Sequence, residues 1–130
     1  MREIQVKAAR VNNTELFSFG EITGSSDLLL PDSQGEGWQC WYPLGVVPGE
    51  GEIGLVRSTL TEPLIEFVEC HPTRSEWVYA IDKPIIQVVA LSDSKSGSAD
   101  PATTKAVLLK PGDGIIIQEG VWHAPAFSAD

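Results

Sequence analysis

The chain has 130 residues, 42% of them hydrophobic and 21% charged; that is enough for one domain with a full core, and it excludes a wholly disordered chain. Eighteen acidic residues against nine basic ones give a net charge of −9, which excludes a nucleic-acid binder working through a basic surface. A small anionic substrate stays admissible, because one arginine in a pocket can outweigh the global field locally.

The opening MREIQVKAAR has no apolar h-region, so no secretory signal is expected. No later apolar run approaches the roughly 20 residues of a membrane span, Leu28-Leu29-Leu30 being cut at once by Pro31-Asp32. A cytoplasmic protein without membrane or nucleic-acid partners is expected, with Cys40 and Cys70 as free thiols. Glu3 to Ala8 alternates, Ile4, Val6 and Ala8 facing one way, the period-2 pattern of a half-buried strand. NNTELFSFG then predicts one short helix of about two turns, with Asn13 or Thr14 as N-cap and Gly20 as the stop. Thr23 to Gly37 is rich in Gly, Ser and Asp and reads as a long loop.

From Trp38 onward the chain reads as strands: WQCWYPL, IGLVRSTL, PLIEFVECH, SEWVYAI, IIQVVAL, TTKAVLLK, GIIIQ and VWHAPAF. Turn chemistry stands at Pro48 to Gly51 and Pro111 to Gly114, and Ser92 to Asp100 reads as a polar, mobile hairpin loop. Many short strands between Gly/Pro turns predict an all-β antiparallel barrel or jelly roll, one domain over residues 1–130 with one short N-terminal helix. Trp38, Trp41 and Trp77 are expected in its core.

The two histidines, His71 and His123, set the chemistry. In PLIEFVECH, alternation puts Phe67, Glu69 and His71 on one face, so an inward Phe67 carries carboxylate and imidazole inward with it. Glu76 follows His71 across a turn in the spacing H-x4-E, and His123 follows the second turn in PGDGIIIQEGVWH. A capping role for each histidine is the plain alternative; three such groups meeting in a barrel mouth is the chemical one. Arg57 shares a face with Ile53, Leu55 and Thr59, where it either meets an anion (Glu69 or a ligand carboxylate) or reaches solvent. Trp122, beside His123, is a candidate pocket wall. Cys70 alternates away from His71 and reads as structural. No phosphate loop, C-x2-C pair or H-E-x-x-H is present.

These segments resemble the cupin superfamily. ECHPTRSEWVYAI matches the second half of its first motif, and PGDGIIIQEGVWH its second, with Gln118 in place of a proline. Within the cupins the chain is similar to ureidoglycolate lyases: a helix entry like NNTELFSFGEI, then ECHP, VVAL and a closing GVWHAP, together spanning nearly the whole chain. It departs in carrying Glu76 where that family commonly has Gln, and Glu69 where ordinary cupins have a histidine.

The resemblance implies a cupin-like fold and cleavage of ureidoglycolate to glyoxylate and urea. It casts His71 and His123 as proton-transfer groups, Glu69 as their orienter or a proton acceptor, and Arg57 and Trp122 as substrate-binding residues. The alternatives are a metal-dependent cupin enzyme, a dioxygenase or isomerase, with His71, Glu76 and His123 holding Ni, Mn, Fe or Zn, and a cupin that only binds a small acid. A homodimer is expected too, because the chain stops at Asp130, directly after VWHAPAF, where relatives continue, leaving a sheet edge to be covered.

Overall fold

The computed structural model describes residues 3–25, 27, 29–45, 49–58 and 64–129. In chain order they form β1 (Ala8–Ala9), α1 (Asn13–Leu16), β2 (Gly20–Gly24), β3 (Ser33–Gly35), β4 (Trp38–Cys40), β5 (Glu69–Cys70), β6 (Glu76–Tyr79), β7 (Ile85–Ala90), β8 (Lys105–Leu109), β9 (Asp113–Ile117), β10 (Trp122–His123) and β11 (Phe127–Ser128). The large sheet has the order β1-β8-β7-β10-β5, with β11 also on β7; the small sheet is β2-β9-β6, and β3-β4 is a separate hairpin. Every pairing is antiparallel except β1 with β8.

Two apolar clusters show how the sheets pack. Val89, Val107 and Leu109 of the large sheet share one cluster with Ile22, Ile115 and Ile117 of the small sheet, and with Leu16, Phe19 and Val121. The other face of the large sheet carries Val88, Ala106, Ala124 and Phe127. Odd-numbered residues of β7 and β8 therefore face the small sheet and even-numbered ones face away, the strict alternation of a strand buried on both sides. Each fully buried Leu or Ile of the shared cluster contributes about 1.5–3 kcal/mol, so this interface fixes how the sheets sit.

Several expected elements differ. Ala8 and Ala9 alone of the opening segment enter the sheet, and Ile4 and Val6 are exposed. The helix is a single turn capped by Asn12, whose side-chain oxygen accepts from Glu15 N. Asn13 is not the cap because its Oδ1 accepts from Ile22 N at 2.6 Å, which ties the helix to β2. The long loop from Thr23 is interrupted, since Ser33–Gly35 pairs with Trp38–Cys40. Residues 53–58 and 64–68, read as strands, are irregular, and Ile53, Leu55, Val56 and Phe67 are exposed. Alternation needs a neighbouring strand to become burial, and these stretches have none among the described residues. Pro48, Thr59 and Leu60 of the expected turn and strand lie outside the described residues. Trp38 is exposed, and Trp41 and Trp77 are half-buried rather than core.

The turn at Pro111 to Gly114 has the expected chemistry, Gly112 taking a φ of +92°, yet it joins β8 to β9 in different sheets. Ser92 to Asp100 does close a hairpin, between β7 and β8. VWHAPAF is not one strand. His123 pairs with Val89 and Phe127 with Ile86, so three residues, Ala124 to Ala126, oppose two on β7. This bulge reverses the alternation: Val121 belongs to the cluster between the sheets and Phe127 to the far one.

Candidate active site

Strand register places four chemically active side chains between the sheets. His123 stands opposite Val89 on one side and Glu69 on the other. Directly opposed residues share a face, so His123 and Glu69 point with Val89 toward the small sheet. On that sheet Glu76 is opposite Ile117, a residue of the shared core, and points back. His71 lies just past β5, held by Gly120 N donating to its carbonyl at 2.9 Å. Ligand atoms of Glu69, His71, Glu76 and His123 all fall within 4.8 Å of one another.

Glu76 is the hub. Its Oε2 lies 2.8 Å from His123 Nε2 and 3.3 Å from His71 Nε2, whereas Glu69 Oε1 is at 3.8 and 4.0 Å from the same nitrogens. The imidazole rings are tilted by 47° with centroids 5.0 Å apart. The His123 side chain is 4% exposed, against 41% for Glu76, 43% for His71 and 58% for Glu69. The cluster therefore has one buried wall and an open side that a small molecule can reach.

The His123 ring has a defined tautomer. Nδ1 is 3.0 Å from the Val121 carbonyl oxygen, which can only accept, so Nδ1 carries the hydrogen and donates it. Nε2 of the neutral ring then presents a lone pair, is buried, and has no directed hydrogen bond despite its 2.8 Å contact with Glu76. Two acceptor atoms at that distance repel each other, so the pair draws a proton or a cation to itself. Two imidazole nitrogens and two carboxylate oxygens are a donor set suited to Mn, Fe, Ni or Zn, so the residues fit a divalent metal as well as a shared proton.

The structure thus brings together Glu69, His71, Glu76 and His123, although Phe67, whose inward turn was the premise for Glu69 and His71, is itself 71% exposed. It does not bring Arg57, which is exposed on an irregular stretch and makes no ion pair among the described residues. Trp122 alternates to the opposite face from His123, opposite Ala90 and Cys70, and its indole N–H donates to Ser92 Oγ at 3.0 Å. It therefore does not line the cluster. Cys40 and Cys70 are free.

Sequence reading missed Gln87, buried in β7 beside the site, and Arg10, which pairs with the buried Asp113 at 3.1 Å. A lone amide in the apolar run IIQVVAL was the available signal for the first; nothing local pointed to the second.

Two facing sheets with few helices and a histidine-carboxylate cluster between them define a cupin-like all-β protein. The model of the ureidoglycolate lyase family matches residues 47–130, and the chain belongs to that family. The match starts beyond NNTELFSFGEI, so the likeness of the helix entry lies outside it. No curated protein matches the sequence. Membership supports a lyase function related to purine and allantoin breakdown. Among the described residues no helix is long and apolar enough to cross a membrane.

Proposed function

We propose that the protein cleaves a ureido-hydroxy acid, ureidoglycolate, to glyoxylate and urea. The observation that carries this reading is the convergence of two imidazoles and two carboxylates from both sheets at one open site. In the reaction the carbinol O–H loses its proton as the C=O bond forms. The C–N bond electrons leave with the urea nitrogen, which takes up a proton. One acceptor and one donor are needed, and the proton count balances between them.

His123, with Nδ1–H tied to the Val121 carbonyl, offers the Nε2 lone pair as the acceptor. His71, half open to solvent, is the donor and is reprotonated from water. Glu76, in reach of both rings, stabilises whichever imidazole is protonated. Glu69 steadies the rings from farther away or takes the proton itself.

A divalent metal would be held by His71, Glu76 and His123 with Glu69 beside them, and when bound it would supply Lewis-acid polarisation of the substrate oxygens. The orphaned Nε2 of His123 favours this as a second reading, a metal-dependent cupin enzyme on a small acid. Glyoxylate release from ureidoglycolate tests the first reading. His123→Ala is expected to lower turnover about 10²–10⁴-fold; a fully active variant overturns the assignment. Elemental analysis of the purified protein tests the second.

A further inference from the structure

Gln87 is 1% exposed, an amide within a strand whose other residues are apolar. Its place in β7 is on the face of Val89, the partner of His123. A buried amide must find partners or destabilise the fold. Its Nε2 donates to the Ala124 carbonyl at 2.6 Å and to the Val88 carbonyl at 3.2 Å. Ala124 comes directly after His123 and begins the bulge. Its own N–H donates to the same Val88 carbonyl at 3.2 Å, and the next residue, Pro125, has no N–H to offer the ladder.

We propose that Gln87 is the positioning residue of His123: its amide pins the carbonyl of Ala124, the residue after the histidine, while the Val121 carbonyl holds the ring from the other side. With both fixtures in place Nε2 lies 2.8 Å from Glu76 Oε2. A branched apolar residue would suit a doubly buried strand better at position 87; the amide is there because an irregular backbone lies beside it. Bulges next to sites re-aim a side chain, and this one needs a side-chain donor to keep its shape. The consequence for turnover rests on the lyase reading; the consequence for the His123 ring does not.

The test is Gln87→Met, similar in shape but without a donor, in metal-free protein carrying ¹⁵N-labelled histidine. The chain's two histidines make assignment direct, and His71 is the internal control. In the native chain His123 is expected as a single Nδ1–H tautomer; in Q87M it becomes a tautomer mixture with broadened signals, while His71 is unchanged. In parallel kcat on ureidoglycolate falls about 10-fold, the effect of losing an outer support, with KM within about twofold. A folded Q87M with the His123 tautomer intact overturns the proposal. Should Q87M not fold, side-chain amide exchange in the native chain decides. Gln87 Nε2 protons are expected to exchange far more slowly than those of the exposed Gln5, and equal rates overturn the proposal. A native chain that does not turn over ureidoglycolate removes the lyase reading and leaves the tautomer comparison standing.

Discussion

His123 Nε2 and Glu76 Oε2 lie 2.8 Å apart although their strands belong to different sheets. Three of the four cluster residues come from the large sheet or its margin, and Glu76 alone comes from the small one. Glu76→Gln keeps the shape and removes the charge at the hub. It is expected to weaken Mn(II) or Zn(II) binding at least about 10-fold while stability changes by about 0.5 kcal/mol or less, since the side chain is part-exposed. Calorimetric titration of the native chain and variant measures this; equal affinities would remove Glu76 from the donor set.

Arg10 and Asp113 hold the turn between the sheets. Asp113 Oδ2 accepts from Lys110 N at 2.9 Å and lies 3.1 Å from Arg10 Nη2, with the Asp113 side chain 5% exposed. Removing one partner of a buried pair strands the other. Asp113→Ala is expected to cost about 3 kcal/mol, toward the low end for such pairs because Arg10 retains Asp27. Urea unfolding checks it, and a loss below about 1 kcal/mol would mean that the pair is dispensable.

Acid should loosen two surface features. Backbone N–H groups of Ser96 and Lys95 hold the Asp93 carboxyl below the usual carboxylate range, and the Arg10 hydrogen bond does the same for Asp27. A depressed folded-state value means stabilisation that is present above the ordinary carboxylate range and lost as pH falls through the lower, folded value. Asp93→Ala is therefore expected to lower the melting temperature at neutral pH and to match the native chain in strong acid. A difference that persists undiminished at the acid end would contradict that sign.

A second copy of the chain is the proposed partner for the exposed apolar stretch. Ile53, Leu55, Val56 and Phe67 are exposed, and β5, close behind Phe67, is an edge of the large sheet among the described strands. An edge beside uncovered apolar side chains is an aggregation liability unless something covers it. Light scattering at micromolar concentration should give twice 14.1 kDa; a monomer would show that the stretch needs no second chain.

Glu69, His71 and Glu76 were legible as one short stretch around a turn, whereas the approach of His123 was legible only through the resemblance of its GVWH block to a second matched motif. The all-β class was legible from runs such as IIQVVAL and TTKAVLLK, which became β7 and β8. Arg57 was misleading: alternation in IGLVRSTL describes a strand, but a strand exists only against a neighbour. Trp122 was misread because adjacency to His123 along a strand means opposite faces. The bulge after His123 could not be seen, since VWHAPAF alternates well enough to pass for one strand. Its only trace was Pro125, together with a glutamine, Gln87, far away in the sequence.

The bulge also acts as a reading frame for the last strand. Because side chains swap sides with every residue, its length rather than its composition sets the face of each later side chain. An unbroken strand through the same residues would return Phe127 to the side of His123 and turn Ser128 outward. The extra residue sends the aromatic ring to the far face instead, against Ile86. Deleting Pro125 would leave two residues opposite two, and Phe127 would keep both its partner and its face. The irregular backbone beside Gln87 would be gone. One deletion would thus separate the shape of the site from the frame of the tail, which no substitution at the same place could do.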